Sequence, residues 1–151
     1  MVSTAAEVAD QRVVDVAAQL RVAIFRTARR LRQEAGVDLG AALIAALGTI
    51  ERHGPLTPSE LANLERVKRP TATRMVNRLE MEDLILRAKD PADGRSSLVS
   101  TSPRGRELLR RLRTRRTAYL ARRLRELGPD EVAALGRAAE ILERLLEGER
   151  R

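Results

Sequence analysis

Residues Leu56–Ser102 read LTPSELANLERVKRPTATRMVNRLEMEDLILRAKDPADGRSSLVSTS, and this stretch decides how the whole chain is read. Thr57 and Glu60 have the spacing of a capping box: the Thr57 oxygen can accept the amide three residues on, and Glu60 can reach back. Pro58 falls at the first helical position, where a missing N–H costs nothing. Leu56 and Leu61 are placed for a hydrophobic staple. The pattern predicts a short helix ending near Glu65, with Val67–Arg69 as the turn after it. Pro70 opens a second helix by the same logic.

In that second helix Ala72, Met75, Val76 and Leu79 fall at i, i+3, i+4 and i+7, so they face inward. Arg74 and Asn77 then point almost directly away, flanked by Thr71, Thr73 and Arg78. The outward face is cationic and hydrogen-bonding until Glu80 and Glu82 at the far end. A recognition helix uses its N-terminal half on base edges in the DNA major groove, so this polarity fits one. The competing reading is a surface helix with scattered arginines. Leu84–Ala88 and Leu98–Thr101 predict two antiparallel strands, a small wing. Asp90–Arg95, DPADGR, joins them, with Asp93-Gly94 as the turn. Arg95, just past the tip, is placed to enter a minor groove; an ordinary solvated hairpin tip is the alternative.

Before that stretch, residues from about Ala6 to Glu34 carry an apolar stripe of Val13, Val16, Ala17, Leu20, Ile24, Ala28 and Leu31 at helical spacing. Gly36 stops that helix. It can pack on its own domain or on a partner subunit, and the pattern fits both. Asp38 can cap a second helix to about His53, buried through Leu43, Ala46, Leu47 and Ile50, with Gly54 and Pro55 ending it. His53 is the only histidine and has no partners for a metal site.

On the other side Ser102 caps a helix begun by Pro103 and running to about Leu127. Leu108, Leu109, Leu112, Tyr119, Leu120, Leu124 and Leu127 give it an apolar seam. Ten arginines between Arg104 and Arg125 cover the rest, the usual mark of a solvated face. Arg104 and Arg106, beside the wing, are the ones best placed to touch phosphate. Gly128-Pro129 breaks the chain, and Asp130 and Glu131 favour a new helix start. Val132, Leu135, Ala138, Ala139, Leu142, Leu145 and Leu146 mark a final amphipathic helix to Gly148.

Composition narrows the function. The 151 residues are 43% hydrophobic and 33% charged, which supports a packed core under a charged surface. Phe25 and Tyr119 are the only aromatics, so a single-strand binder that stacks bases is disfavoured. The net charge of +8 favours an anionic partner such as nucleic acid, although a codon bias toward arginine also gives that balance. There is no cysteine, which excludes disulfides, thiolate metal sites and thiol redox sensing. No apolar signal core or bilayer-length apolar run occurs, so the expectation is a cytoplasmic protein with no membrane role. Carboxylates are present, but none pairs with a His, Cys or phosphate-binding loop, so neither an enzyme nor a cofactor is expected.

The full order of helices and wing resembles the MarR family of bacterial winged helix-turn-helix regulators. The resemblance rests on LTPSELA (Leu56–Ala62), RPTATRMVNRLEMEDLILR (Arg69–Arg87), DPADGR (Asp90–Arg95) and SPRGREL (Ser102–Leu108). It implies a mainly α fold: one domain over residues 1–151, with a winged helix-turn-helix over about 38–101. Residues of about 6–35 and 102–148 would be dimerisation helices. It implies double-stranded DNA as partner, met by Thr71, Thr73, Arg74, Asn77 and Arg78 in the major groove and Arg95 in the minor groove. Ser59, Lys68 and Arg69 complete the candidate DNA-binding set. Asp90 and Asp93 would orient wing arginines. The family's wing commonly reads D-x-R-D-x-R, and here Ala92 replaces one cation.

The resemblance also implies a homodimer, with Val13, Val16, Leu20, Tyr119, Leu135, Leu142, Leu145 and Leu146 as candidate interface residues. A small-molecule effector that releases DNA is the default expectation by analogy, and a ligand-independent regulator is the alternative. The expected function is sequence-specific repression at a near-palindromic operator. Its rival is a sequence-indifferent architectural DNA binder.

Overall fold

A computed structural model describes residues 2–34, 36, 39–91 and 96–148. Arg95 and Asp93 of the wing tip, and Asp38, expected to cap the second helix, lie outside the described residues. The order is α1 (Val2–Glu34), α2 (Ala41–His53), α3 (Pro58–Leu64), α4 (Arg69–Met81), β1 (Ile85–Lys89), β2 (Ser97–Thr101), α5 (Pro103–Leu124) and α6 (Pro129–Gly148). The fold is mainly helical with one antiparallel hairpin, as expected.

Several boundaries differ from the sequence expectation for local reasons. Helix α2 begins at Ala41, with Gly40 as its uncapped N-terminus. The turn after α3 lies one residue earlier than expected, because Arg69 is already in α4 and Arg66 takes a left-handed φ of 53°. That residue closes α3: the Val67 amide reaches the Ala62 carbonyl at 2.9 Å, and the Arg66 amide reaches Asn63 at 3.2 Å. These are the paired bonds of a Schellman motif, which satisfy carbonyls left open at a helix end. Asp83, with φ 56°, closes α4 in the same way through Leu84 to Leu79 and Asp83 to Glu80, both at 2.9 Å. Helix α5 ends at Leu124 rather than Leu127.

The capping box expected at the start of α3 forms. Thr57 Oγ1 accepts the Glu60 amide at 3.2 Å, and the Glu60 carboxylate accepts the Thr57 amide at 2.7 Å. These bonds hold the Glu60 carboxyl below its ordinary range, the Thr57 amide being the main cause. Leu56 and Leu61 are both buried in one cluster with Leu47, Ile50, Val76, Leu79, Leu84, Ile85, Val99 and Leu109. Leu56 also pairs with Val99 through two backbone bonds of 3.1 and 2.8 Å, so the segment before α3 adds an isolated bridge to the edge of the wing.

This core draws on α2, α3, α4, the hairpin and the start of α5. By contrast, α1 and α6 leave large apolar side chains in solvent: Val13 is 67% exposed, Phe25 65% and Leu145 65%. Val16, Leu20, Leu135 and Leu146 are exposed as well, whereas Tyr119 and Leu142 are half-buried. Helix α1 does pack on α5. There the Tyr119 hydroxyl accepts from Arg30 Nε at 3.2 Å, and its ring lies within 6 Å of the guanidinium carbons of Arg30, Arg122 and Arg123. The hydrogen bonds from Arg30 and then Arg123 stabilise the phenolate and lower the Tyr119 pKa. No described helix is long and apolar enough to cross a membrane.

Candidate nucleic-acid interface

Helix α4 is fixed by its inward face. Ala72, Val76 and Leu79 have no solvent exposure, and Met75 is half-buried against the core. The helix is thereby held so that Thr73, Arg74, Asn77 and Arg78 are exposed and Thr71 is half-buried at their edge. Lys68 and Arg69 are exposed at the helix N-terminus, and its first turn carries no acid. Their charges add to the positive end of the helix dipole, a favourable setting for a phosphate. Ser59 is half-buried in the first turn of α3.

The outward side chains are partly organised in the free protein. Thr73 Oγ1 donates to the Arg69 carbonyl at 3.0 Å, which leaves its methyl and its lone pairs outward. Arg74 Nη2 lies 3.4 Å from Thr71 Oγ1, a weak brace that leaves most of its fork free. Arg78 pairs with Glu82 at 2.8 Å one turn on, so it is drawn toward the far end of the helix. Both partners are partly exposed, and such a pair is worth little and exchanges readily for a phosphate.

The wing is anchored beside α4. In the hairpin register Ile85 faces Thr101, Arg87 faces Val99 and Lys89 faces Ser97. The Asp90 amide donates to the Ser96 carbonyl at 3.1 Å, closing the described part of the hairpin, and Asp90 itself is half-buried. Arg106 Nη1 donates to the Thr101 carbonyl at 2.7 Å, and Arg104 lies 3.8 Å from Asp83. Arg106 is therefore tied to the wing base, whereas Arg104, 66% exposed, remains available to a phosphate.

One residue escaped sequence reasoning. Arg87 was not singled out, yet it grips the Glu80 carboxylate with Nε at 3.1 Å and Nη2 at 2.8 Å. This holds the Glu80 carboxyl below its ordinary range. Glu80 is thus half of a contact between helix and wing. The signal that could have found it is strand alternation, which puts Arg87 on the same face as buried Ile85 while Leu86 faces solvent.

A second feature lies behind the interface. A cavity of about 570 Å³ sits among α1, α2 and α5, lined by Leu31, Ile44, Leu112, Arg32, Arg52 and Arg116 with neighbouring residues. Its volume is in the range of small-molecule sites. Arg116 Nε is buried beside it without a hydrogen-bond partner. At its edge the Thr49 hydroxyl donates to Glu65, and Arg52 donates to Thr49 at 3.1 Å. Glu65 is the cap of α3, so the cavity wall connects to the helix that supports α4.

Comparisons with known proteins agree with this architecture. The MarR family profile matches residues 41–97, from α2 through the wing. An HTH-type transcriptional regulator of Mycobacterium bovis is 35% identical over 133 residues, 87% of this chain and 93% of that protein. The HTH-type transcriptional repressor MdtR of Bacillus subtilis is 30% identical over 145 residues, covering 90% and 93%. A crystal structure of a transcriptional regulator from Pseudomonas aeruginosa superposes with a TM-score of 0.83 at 36% identity, covering 89% of this chain and 96% of that one. A MepR variant of Staphylococcus aureus bound to an oligodeoxyribonucleotide shares the fold, with a TM-score of 0.67 at 19% identity over 85% and 96% of the chains. The family and these relatives are transcriptional regulators rather than enzymes. With its helix order, hairpin wing and exposed polar α4, this chain belongs to the MarR family of DNA-binding, winged helix-turn-helix transcriptional regulators.

Proposed function

We propose that the chain is a cytoplasmic, homodimeric repressor that binds a near-palindromic operator and blocks transcription sterically. The observation that carries this reading is the division of α4. Its apolar stripe is used up in the core, and Thr73, Arg74, Asn77 and Arg78 are left exposed on the outer side. In this reading Arg74, Asn77, Thr71, Thr73 and Arg78 meet base edges or adjacent phosphates in the major groove. Ser59, Lys68 and Arg69 hold the backbone, and Arg95 of the wing reaches the minor groove, with Asp90 and Asp93 orienting wing cations. Affinity comes mostly from arginine–phosphate contacts and falls steeply with salt, while specificity comes from base edges.

Residues 38–101 then read the DNA, and 6–35 and 102–148 pair the subunits. The exposed apolar residues of α1 and α6 support this division, because faces of that kind mark interaction surfaces. Val13, Val16, Leu20, Leu135, Leu142, Leu145 and Leu146, with Tyr119, form the contact between copies. The repressor named among the relatives supports the sign of regulation, and the oligonucleotide-bound MepR variant supports the DNA partner. A small-molecule effector would occupy the cavity among α1, α2 and α5, where four arginines (Arg32, Arg52, Arg113 and Arg116) favour an anion.

A gel-shift titration with competitor DNA tests the reading. A selected operator is expected to compete far better than excess random duplex at physiological salt. Equal competition by the two would replace it with a sequence-indifferent architectural binder.

A further inference from the structure

Arg87 is the third residue of β1, and its side chain lies across the C-terminal half of α4. Its donors are divided among three side chains. Nε and Nη2 hold Glu80, Nη2 also donates to Asn77 Oδ1 at 3.1 Å, and Nη1 donates to Ser97 Oγ at 3.3 Å. Recognition helix, first strand and second strand thus meet at one guanidinium. The arginine side chain is 31% exposed, and a two-point grip on a carboxylate fixes its plane.

The contact with Asn77 has a chemical consequence. A guanidinium only donates, so the Asn77 atom facing it must be the carbonyl oxygen. The usual ambiguity of amide orientation is resolved by its neighbour. The Asn77 NH2 is the end that no described protein group takes. An asparagine that reads adenine needs both ends at once, with Oδ1 accepting from N6 and Nδ2 donating to N7. Here Oδ1 is turned to a cation on the wing. One of its two lone pairs is thereby taken and the oxygen is held on the wing side, so the end left unrestrained for the groove is the pair of N–H donors.

We propose that Arg87 is a specificity-setting positioning residue, which holds the Asn77 oxygen on the wing side and so presents its NH2 to an acceptor edge, guanine N7 and O6, rather than presenting both ends to adenine. The inference rests on α4 being the helix that reads DNA in the proposed function. Arg87 itself touches no base. It acts by fixing which way Asn77 faces, and Glu80 fixes Arg87. The same guanidinium sets the angle of the wing to α4, so wing and recognition helix are presented as one rigid surface.

The test is a base-by-base substitution scan of the selected operator, read by gel shift with the full-length dimer. Wild type is expected to prefer guanine at the base pair whose preference Asn77→Ala relaxes, a position distinct from the one that Arg74→Ala relaxes. Asn77→Asp, which keeps an acceptor for Arg87 but removes the donors, is expected to lose about tenfold of that preference. Arg87→Ala should lose a similar factor at the same base pair, and nothing further when added to Asn77→Ala. Arg87→Lys, which keeps the charge but not the fork, should recover only part of it. Glu80→Gln serves as a second probe should Arg87→Ala melt early, and should weaken discrimination at that base pair without removing a cation.

An Arg87→Ala effect that is equal at all base pairs, or that persists undiminished in the Asn77→Ala background, would overturn the proposal in favour of a phosphate contact or general stabilisation. A preference for adenine at the Asn77 base pair in wild type would also overturn it. If wild type shows no base preference anywhere in the scan, the operator reading itself fails, an outcome distinct from failure of the Arg87 assignment.

Discussion

The Ser102 hydroxyl donates to the main-chain carbonyl of Asp83 at 2.6 Å, pinning the start of α5 to the residue that closes the recognition helix. The same oxygen accepts the Gly105 amide at 3.0 Å, and the Ser102 amide reaches the Leu84 carbonyl at 3.0 Å. The chain therefore leaves α4, builds the wing, and returns to the point of departure. Ser102→Ala removes a helix cap and leaves a carbonyl and an amide short of a partner at a site only 4% exposed. It should cost about 1–2 kcal/mol in chemical denaturation. A change below about 0.5 kcal/mol, the level of an ordinary surface substitution, would mean that the junction does not hold α5.

Gly105 is required by the same close approach. A Cβ there would lie 2.1 Å from the Leu84 carbonyl oxygen and 2.9 Å from Thr101 Cγ2. The first neighbour is backbone and cannot swing aside, so α5 must lift from the base of the wing. Gly105→Ala should destabilise the fold by about 1–3 kcal/mol despite alanine's better helix propensity. A thermal midpoint equal to or above that of wild type would contradict this packing.

Arg66 sets the opposite expectation. It holds a φ of 53° at the end of α3, a region that costs an L-residue roughly 1–2 kcal/mol. Glycine takes that conformation freely but loses more entropy on folding. Arg66→Gly should therefore raise stability by a net of about 0.5–1 kcal/mol. A fall in the denaturation midpoint would show that the Arg66 side chain contributes more than its backbone costs.

These three positions also show what a sequence makes visible. The Thr57–Glu60 box and the Ser102 cap were legible because their partners lie three residues away along the chain. The inward stripe of α4 was legible because helical geometry alone divides Val76 and Leu79 from Arg74 and Asn77. The left-handed closures at Arg66 and Asp83 were hidden, since neither position carries the glycine that marks such a turn. The Arg87 clamp was hidden because its partners Asn77 and Ser97 are ten residues away on either side and meet only when the hairpin docks. The bridge between Leu56 and Val99 joins segments further apart still. The exposed faces of α1 and α6 are apolar in sequence and apolar in structure, and neither states by itself what covers them.

Arg74 carries the specificity prediction. Its guanidinium is exposed and only weakly braced by Thr71 at 3.4 Å, so it is free to form a two-point contact with guanine. Arg74→Ala should cost about 1–3 kcal/mol of operator binding and relax preference at one base pair per half-site. Unchanged affinity and unchanged preference in a gel-shift titration would remove Arg74 from the reading face.

In the proposed function two copies of α4, paired through the outer helices, read DNA by sequence. Selection of bound sites from random duplexes by the full-length chain, with the protein-to-duplex ratio of the complex measured by sedimentation, tests it most directly. Two chains are expected on a near-palindrome whose half-sites are centred about one helical turn, roughly 34–36 Å, apart. Recovery of unrelated sites without symmetry, or of one chain per site, would contradict it.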